Sequence, residues 1–139
     1  MEKSRLVSVM MQYSLLDRRP EESCFSLLKQ HNISVVTRGS VAQGMLTGKP
    51  AQPYLGHSKE QVETAAEAIK NMAGRQELEA ATAIRYVLHQ PVVASAVVGM
   101  RTATQLEEAL RISEMPELSP EAWEKLNLSA PAKQYAEHR

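Results

Sequence analysis

The residues best suited to hold an anionic ligand lie in one glycine-rich stretch, TRGSVAQGMLTGK, at positions 37–49. Glycines let a phosphate approach the backbone amides closely, and a nearby lysine can neutralise its charge. A nucleotide-binding Walker loop requires GxxxxGK followed by Ser or Thr. Gly39 and Gly44 have that spacing, but Met45 stands in the lysine position and proline follows the later glycine–lysine pair. A GxGxxG pattern is also missing, so neither of these two nucleotide motifs is present.

A second candidate for anion binding is VVGMRTATQLEE, at positions 97–108. Gly99 ends an apolar run, Arg101 follows at once, and Thr102 is typical of a helix N-cap. A guanidinium beside a helix N-terminus favours a phosphate, since fork-shaped donors and the positive dipole end lie together. Two alternatives stay open at this point: a solvated arginine beside a cap, and a long 37–49 loop whose glycines only satisfy turn geometry.

Three short β-branched runs precede or contain these stretches: LVSVMMQYSLL, ISVVTRG and VVASAVVG. Runs of this length and composition predict strands that are buried on both faces, as in a parallel sheet. Because helical patterns separate them, we expect parallel pairing through right-handed crossovers. The two candidate stretches then lie at the carboxyl ends of the second and third strands, the edge where parallel α/β folds bind ligands.

The intervening helices carry recognisable end signals. The segment KPAQPYLGHS predicts a loop, after which Ser58 begins a helix that Gly74 ends. Pro91 stops the following helix. Thr102 with Gln105, and Ser119 with Pro120, have the spacing of helix starts.

Composition narrows the class of protein. The 139 residues suffice for one domain, predicted to span 1–139, and sixteen basic residues balance sixteen acidic ones. This balance argues against nucleic-acid binding, and no apolar run is long enough to span a membrane. One cysteine excludes an internal disulfide and a cysteine-rich metal site, so we predict no metal. The charged start MEKSRL lacks a signal-peptide core, which together with the lone thiol favours a soluble, cytoplasmic chain.

Three segments together resemble the C-terminal half of the aldo/keto reductase family: VMMQYSLLDRRPEE, VVTRGSVAQGMLTGK and AIRYVLHQPVVASAVVGMRTATQLEEAL. The corresponding family stretches read roughly QxEYSLLxR, YSPLAQGxLTGK and ALRWxLxxPxVxxxIPGxRxxxQLEEN. They occur here in the family's order and spacing over nearly the whole chain. The resemblance implies an α/β fold, a partial (β/α)8 TIM barrel in which the three strands are the sixth, seventh and eighth.

The resemblance also implies NADPH as cofactor and assigns its contacts. The loop after the second strand would lie along the nicotinamide ribose and pyrophosphate through Gly39, Ser40, Val41, Gln43 and Gly44. The loop after the third strand would face the 2′-phosphate through Gly99, Met100 and Arg101, with Gln105 one helical turn on and Glu108 beside the adenine. Three positions depart from the family. Arg38 replaces the aromatic residue that stacks on the nicotinamide, so its planar guanidinium would take over that contact with the cofactor. Met10 replaces a glutamine, and Ala109 replaces an asparagine.

No catalytic residue is carried over from the resemblance. The family's aspartate, tyrosine, lysine and histidine lie on the first four strands, and none of Tyr13, Tyr54, Tyr86 or Tyr135 matches the catalytic position. The predicted function is therefore carbonyl reduction by NADPH in an intact barrel, with this chain as the cofactor-binding half and inactive alone. We expect it to self-associate or pair with an N-terminal half. The alternative is a non-catalytic, self-associating or nucleotide-sensing half-barrel module.

Overall fold

The structure is a computed structural model that describes residues 5–136. Three strands, β1 (Ser8–Gln12), β2 (Ser34–Arg38) and β3 (Val93–Val97), form one parallel sheet in the order β1-β2-β3. Each strand is thus beside its neighbour in sequence, and the predicted parallel pairing is confirmed. The carboxyl ends of all three strands meet at one rim of the sheet.

Helices follow each strand. They are α1 (Cys24–Gln30) after β1, α2 (Lys59–Ala73) and α3 (Glu79–Leu88) after β2, and α4 (Ala103–Leu110) and α5 (Pro120–Ser129) after β3. Short 3₁₀ turns occupy Arg19–Glu21, Ala42–Gly44, Gln76–Leu78 and Arg111–Glu114. None of the described helices is both long enough and apolar enough to cross a bilayer.

The helix ends form as their local sequences predict. Ser58 and Gln61 make a reciprocal capping box at the start of α2, and Gly74 ends that helix in a left-handed conformation, φ 70°. The Ser119 hydroxyl accepts a hydrogen bond from the Ala122 amide at 3.1 Å, and Pro120 opens α5. Each of these contacts satisfies a backbone group that the helix itself leaves unpaired.

The two faces of the sheet have different surroundings. On the face toward the helices, Val35 and Thr37 are fully buried. On the opposite face, Met10 is 61% exposed and Val97 is 48% exposed, although both lie within strands. The prediction of strands buried on both faces is therefore wrong for β1 and β3, because the described helices cover one face of the sheet only.

A ladder of aromatic rings ties the strands to the helices. Tyr13, directly after β1, packs edge-on against Phe25 of α1 at 4.9 Å between centroids and stacks on Tyr86 of α3 at 6.0 Å. Tyr86 in turn stacks on Trp123 of α5 at 5.6 Å. The Tyr13 hydroxyl donates to Glu21 Oε1 at 2.6 Å. This ladder holds the outer layer rigidly behind the sheet, so the loops at the rim start from a fixed base.

Candidate functional site

The loops that leave β2 and β3 enclose a cleft of about 400 Å³ at the rim of the sheet. The residues predicted for cofactor binding that line it are Val41, Gln43, Gly44, Gly99, Met100, Arg101, Gln105 and Glu108. Two segments that are more than fifty residues apart in sequence thus meet at one site. The geometry agrees with the predicted placement of both candidate stretches at the same edge of the sheet, while ligand binding itself stays a prediction.

The loop after β2 bends sharply to reach the cleft. Ala42, Gln43 and Gly44 all have positive φ, at 47°, 59° and 91°, in the left-handed region where glycine is favoured. The Thr47 hydroxyl donates to the Gly44 carbonyl at 3.2 Å and holds the turn. A Cβ placed on Gly44 would lie 2.7 Å from Lys49 Cδ. Gly44 is therefore the position where the lysine stem passes against the backbone.

Lys49 is a cleft residue that sequence reasoning did not assign. Its side chain lies over Gly44 and lines the same cleft as Arg101. The Gly48-Lys49 pair at the end of the loop is the sequence signal for this lysine, but the pair was compared with the Walker motif alone. Thr47, Ala80 and Val98 also line the cleft without having been predicted.

The start of α4 supplies the cationic part of the site. The Thr102 hydroxyl accepts from the Gln105 amide at 3.2 Å, and Gln105 Oε1 accepts from the Arg101 amide at 2.8 Å. Gln105 thereby completes the N-terminal cap one residue earlier than a standard capping box, and its amide NH₂ group stays available for a ligand. Arg101 is exposed, and its guanidinium makes no ion pair with a carboxylate in the described part of the chain.

Three of the predicted residues, Arg38, Gly39 and Ser40, lie beside the cleft rather than in its lining. Arg38 Nη1 donates to Gln12 Oε1 at 3.0 Å, across the adjacent strand ends. Gly39 has φ 75°, and a Cβ there would lie 3.2 Å from Gln12 Cγ, so a side chain would meet Gln12. Ser40 is buried, and its hydroxyl has no hydrogen-bond partner among residues 5–136.

Gln12 links this rim to the long loop before α2. Its amide Nε2 donates to the Tyr54 hydroxyl at 2.9 Å. Burial raises the pKa of Tyr54, with the nearby Asp17 carboxylate adding to the increase. Because the Tyr54 oxygen acts as the acceptor toward Gln12, the phenol proton stays available to a further acceptor.

The two largest buried tyrosines are structural. Tyr13 and Tyr86 are fully buried, and their hydroxyls donate to Glu21 and to Asn127 Oδ1. Burial is the largest cause that raises the pKa of both phenols above the ordinary value, and the Arg18 guanidinium opposes the increase at Tyr86. Because solvent does not reach either hydroxyl, neither can donate a proton to a ligand at the rim. Within residues 5–136, no group of three or more His, Cys, Asp and Glu side chains could hold a metal ion.

Comparison with known proteins identifies a family and relatives that this chain resembles. The model of the aldo/keto reductase family matches residues 1–129. The Bacillus subtilis protein YqkF, described as an uncharacterized oxidoreductase, is 38% identical over 146 residues, which cover 99% of this chain and 47% of that protein. The chain thus spans about half the length of this relative.

Solved structures agree with the fold. The holo form of aldo-keto reductase AKR11C1 from Bacillus halodurans is 35% identical, with a TM-score of 0.84, over 98% of this chain and 45% of that one. Its apo form gives the same TM-score at 33% identity, over 99% of this chain and 48% of that one. The glycerol dehydrogenase AKR11B4 from Gluconobacter oxydans shares the fold alone, at 18% identity and TM-score 0.70, over 91% and 42% of the two chains.

These matches show to which fold the three-stranded sheet belongs. Structures of aldo/keto reductases are (β/α)8 barrels, and this chain superposes on about 45% of one. Its sheet is therefore a segment of such a barrel, as predicted, with the exposed face of Met10 and Val97 on the side where a closed barrel has its interior. The chain belongs to the aldo/keto reductase family.

Proposed function

We propose that this chain forms the NADP(H)-binding half of an aldo/keto reductase that reduces a carbonyl compound by hydride transfer. The observation that supports this most is the cleft in which Gly44 and Lys49 of one loop face Gly99 and Arg101 of the other. Close backbone approach, two cations and the N-terminus of α4 are what a phosphorylated dinucleotide requires. The holo state of the related Bacillus halodurans structure is in keeping with a bound cofactor in this family.

The arrangement also suggests the direction in which the cofactor lies. The 2′-phosphate would meet Arg101 and the start of α4, with the adenine toward Glu108. The pyrophosphate would pass Gly44 and Lys49. The nicotinamide end would then reach the carboxyl end of β2, at Arg38 and Gly39, where the barrel axis opens.

The bound nicotinamide would supply the hydride, while the residues of this chain bind and orient it. Burial raises the pKa of all four described tyrosines, and no lysine lowers any of these pKa values toward neutrality, as a phenol acting as general acid needs. Tyr54 instead has a raised pKa and a hydroxyl that accepts from Gln12. We expect the proton donor for the carbonyl oxygen to come from the other half of the barrel, and the isolated chain to be inactive.

Cofactor titration of the purified chain tests the binding role. Arg101→Ala should weaken NADPH binding about ten- to a hundredfold, since a charge-assisted contact is worth about 1.5–3 kcal/mol, and should leave NADH binding nearly unchanged. Quenching or enhancement of nicotinamide fluorescence measures both affinities. Arg75→Ala, which removes a cation that pairs with Glu77 outside this cleft, is the control. Equal losses for NADPH and NADH would contradict a 2′-phosphate site at Arg101.

A turnover assay tests the inactivity. NADPH oxidation with a broad panel of aldehydes should show no activity for the isolated chain. Turnover that copurifies with the chain through successive columns would overturn the proposal that the other half is required.

The uncovered sheet favours a second candidate, a non-catalytic module that self-associates or senses nucleotide. β1 and β3 each pair with β2 alone, so each keeps a free edge among the described residues, next to the exposed Met10 and Val97. Both candidates predict that the isolated chain binds NADPH without turnover, so mixing with an N-terminal half separates them, and continued inactivity of the mixture would favour this module. Restored turnover upon mixing with an N-terminal half would favour the enzyme.

A further inference from the structure

Arg38 carries a positive charge that forms no ion pair with any carboxylate of residues 5–136. Its one hydrogen bond in the described structure is to the neutral amide oxygen of Gln12, at 3.0 Å. Asp17, whose carboxylate acts on the neighbouring Tyr54, is already engaged by two hydrogen bonds from Arg19 at 2.7 and 2.8 Å. The guanidinium at the end of β2 is therefore a positive charge free to act on a ligand.

The rim fixes where that charge lies. Gln12 is packed against the bare backbone of Gly39 and is itself tied to Tyr54 at 2.9 Å. Gln12 is thus held on both sides, and its hydrogen bond sets the position of the exposed Arg38 guanidinium at the end of β2. Arg38 is the last residue of β2 and shares the open face of the sheet with Gln12 and Met10, so it lies toward the barrel axis.

Resting on the proposed function, we infer that Arg38 makes this site select the reduced form of the cofactor over the oxidised form. The nicotinamide ring is neutral when reduced and carries one positive charge when oxidised. A fixed cation beside the ring repels only the oxidised form. For unit charges about 4 Å apart in a water-like dielectric, the repulsion corresponds to about fivefold in affinity.

This preference for the reduced form has a consequence for release of the oxidised cofactor after the reaction. Hydride transfer from NADPH to a carbonyl, with a proton added to the oxygen, yields an alcohol and NADP⁺. That step would create a positive ring beside Arg38, so the oxidised product would bind more weakly than the reduced cofactor and would leave sooner. Such a site is suited to reduction in the cell and resists inhibition by NADP⁺.

Affinity measurements on the full chain test this without any need for turnover. NADPH is titrated by its fluorescence, and NADP⁺ by competition against it. The wild type should bind NADPH at least about fivefold more tightly than NADP⁺. Arg38→Gln, which keeps a donor for Gln12, should cut that ratio at least threefold, while Arg38→Lys, which keeps the charge, should retain most of it.

Arg101→Gln is the matched control, because it removes one cation from the same site at the phosphate end. It should weaken both forms of the cofactor alike and leave their ratio unchanged. An unchanged ratio in Arg38→Gln, or an equal fall in Arg101→Gln, would overturn the inference and leave the proposed function standing. A wild-type chain that binds neither form would overturn both.

Discussion

At the scale of single residues, the position of the Lys49 side chain depends on the absence of a side chain at Gly44. The lysine stem lies where a Cβ on Gly44 would be, and both residues line the cleft. Gly48, four residues further along the same loop, has nearly the same φ, 93° against 91°, but faces open space. Gly44 therefore meets both a backbone requirement, the positive φ, and a packing requirement, the space for the Lys49 stem. Gly48 meets the backbone requirement alone.

Alanine substitution at each glycine exploits this difference. Gly44→Ala and Gly48→Ala should each cost about 1–2 kcal/mol of unfolding free energy, since both force an L-residue into the left-handed region. Gly44→Ala alone should also weaken NADPH binding several-fold, because it displaces Lys49 from the cleft. Urea unfolding and NADPH titration provide the two readouts, and equal binding losses in both variants would contradict the role of Lys49.

His57 is a buried histidine in which one of the two ring nitrogens has a hydrogen-bond partner among residues 5–136. Nε2 lies 3.0 Å from the Leu16 carbonyl, so it carries the proton of the neutral ring, while Nδ1 has no partner among the described residues. Burial lowers the pKa of His57, with Lys133 adding to the decrease. Protonation would place a charge on a buried nitrogen that has no acceptor.

The pH dependence of stability should follow from this histidine. With a folded pKa below the ordinary 6.5, the unfolded chain binds more protons, so stability is greatest above pH 6.5 and falls as the pH drops below it. His57→Gln, which can still donate to Leu16, should flatten the decline in urea midpoint between pH 7.5 and 5.5. A decline of the same size in the variant would exclude His57 as its source.

At the scale of whole elements, Arg18 connects two segments that are distant in sequence. It holds Glu21 through Nε and Nη2, at 2.8 Å for the closer pair, and its Nη1 donates to the carbonyls of Asn127 and Ala130 at 3.3 Å each. These carbonyls belong to the last turn of α5, where helices leave acceptors unpaired. One side chain thus joins the segment after β1 to the end of the last described helix.

Arg18→Ala should destabilise the chain by about 2–3 kcal/mol, because it leaves the carboxylate of Glu21 and the carbonyls of α5 without their charged donor. Arg111→Ala is the matched control: its pair with Glu114 is 35% and 56% exposed, so its loss should cost no more than about 0.5 kcal/mol. Chemical denaturation measures both, and equal costs would contradict a structural role for Arg18.

Sequence reasoning succeeded for elements whose causes are local. The helix starts at Ser58, Thr102 and Ser119 depend on contacts three residues apart, which the sequence displays directly. Burial of β1 and β3 was mispredicted because a strand's composition does not reveal what covers each face. The bond between Arg38 and Gln12 was missed for a related reason: the two residues are 26 positions apart and meet only through strand pairing.

At the scale of the whole molecule, the open sheet face governs how the chain behaves in solution. Met10, Val36 and Val97 lie on adjacent strands of that face, and the first and last of them are well exposed. Apolar surface flanked by free strand edges favours association with another sheet. The partner would be a second copy or the remaining strands of a barrel.

Association should therefore depend on the sheet face. The isolated chain should sediment as a species heavier than its 15.4 kDa monomer, and Met10→Lys should shift it toward the monomer by placing a charge on the interface. Leu128→Lys, at an 81% exposed position of α5 away from the sheet, should not change the mass. A shift caused by Leu128→Lys alone would place the contact on the helices instead.

The order β1-β2-β3 has a consequence for how the chain acquires its structure. Each strand pairs with the one made just before it, so every new unit finds its template already in place. The chain can therefore fold vectorially during synthesis, unit upon unit. The contacts of Arg18 span the longest part of this order, because its acceptors at the end of α5 are 109 and 112 residues away. These hydrogen bonds can form only once α5 has packed against the segment after β1, so they report the docking of α5.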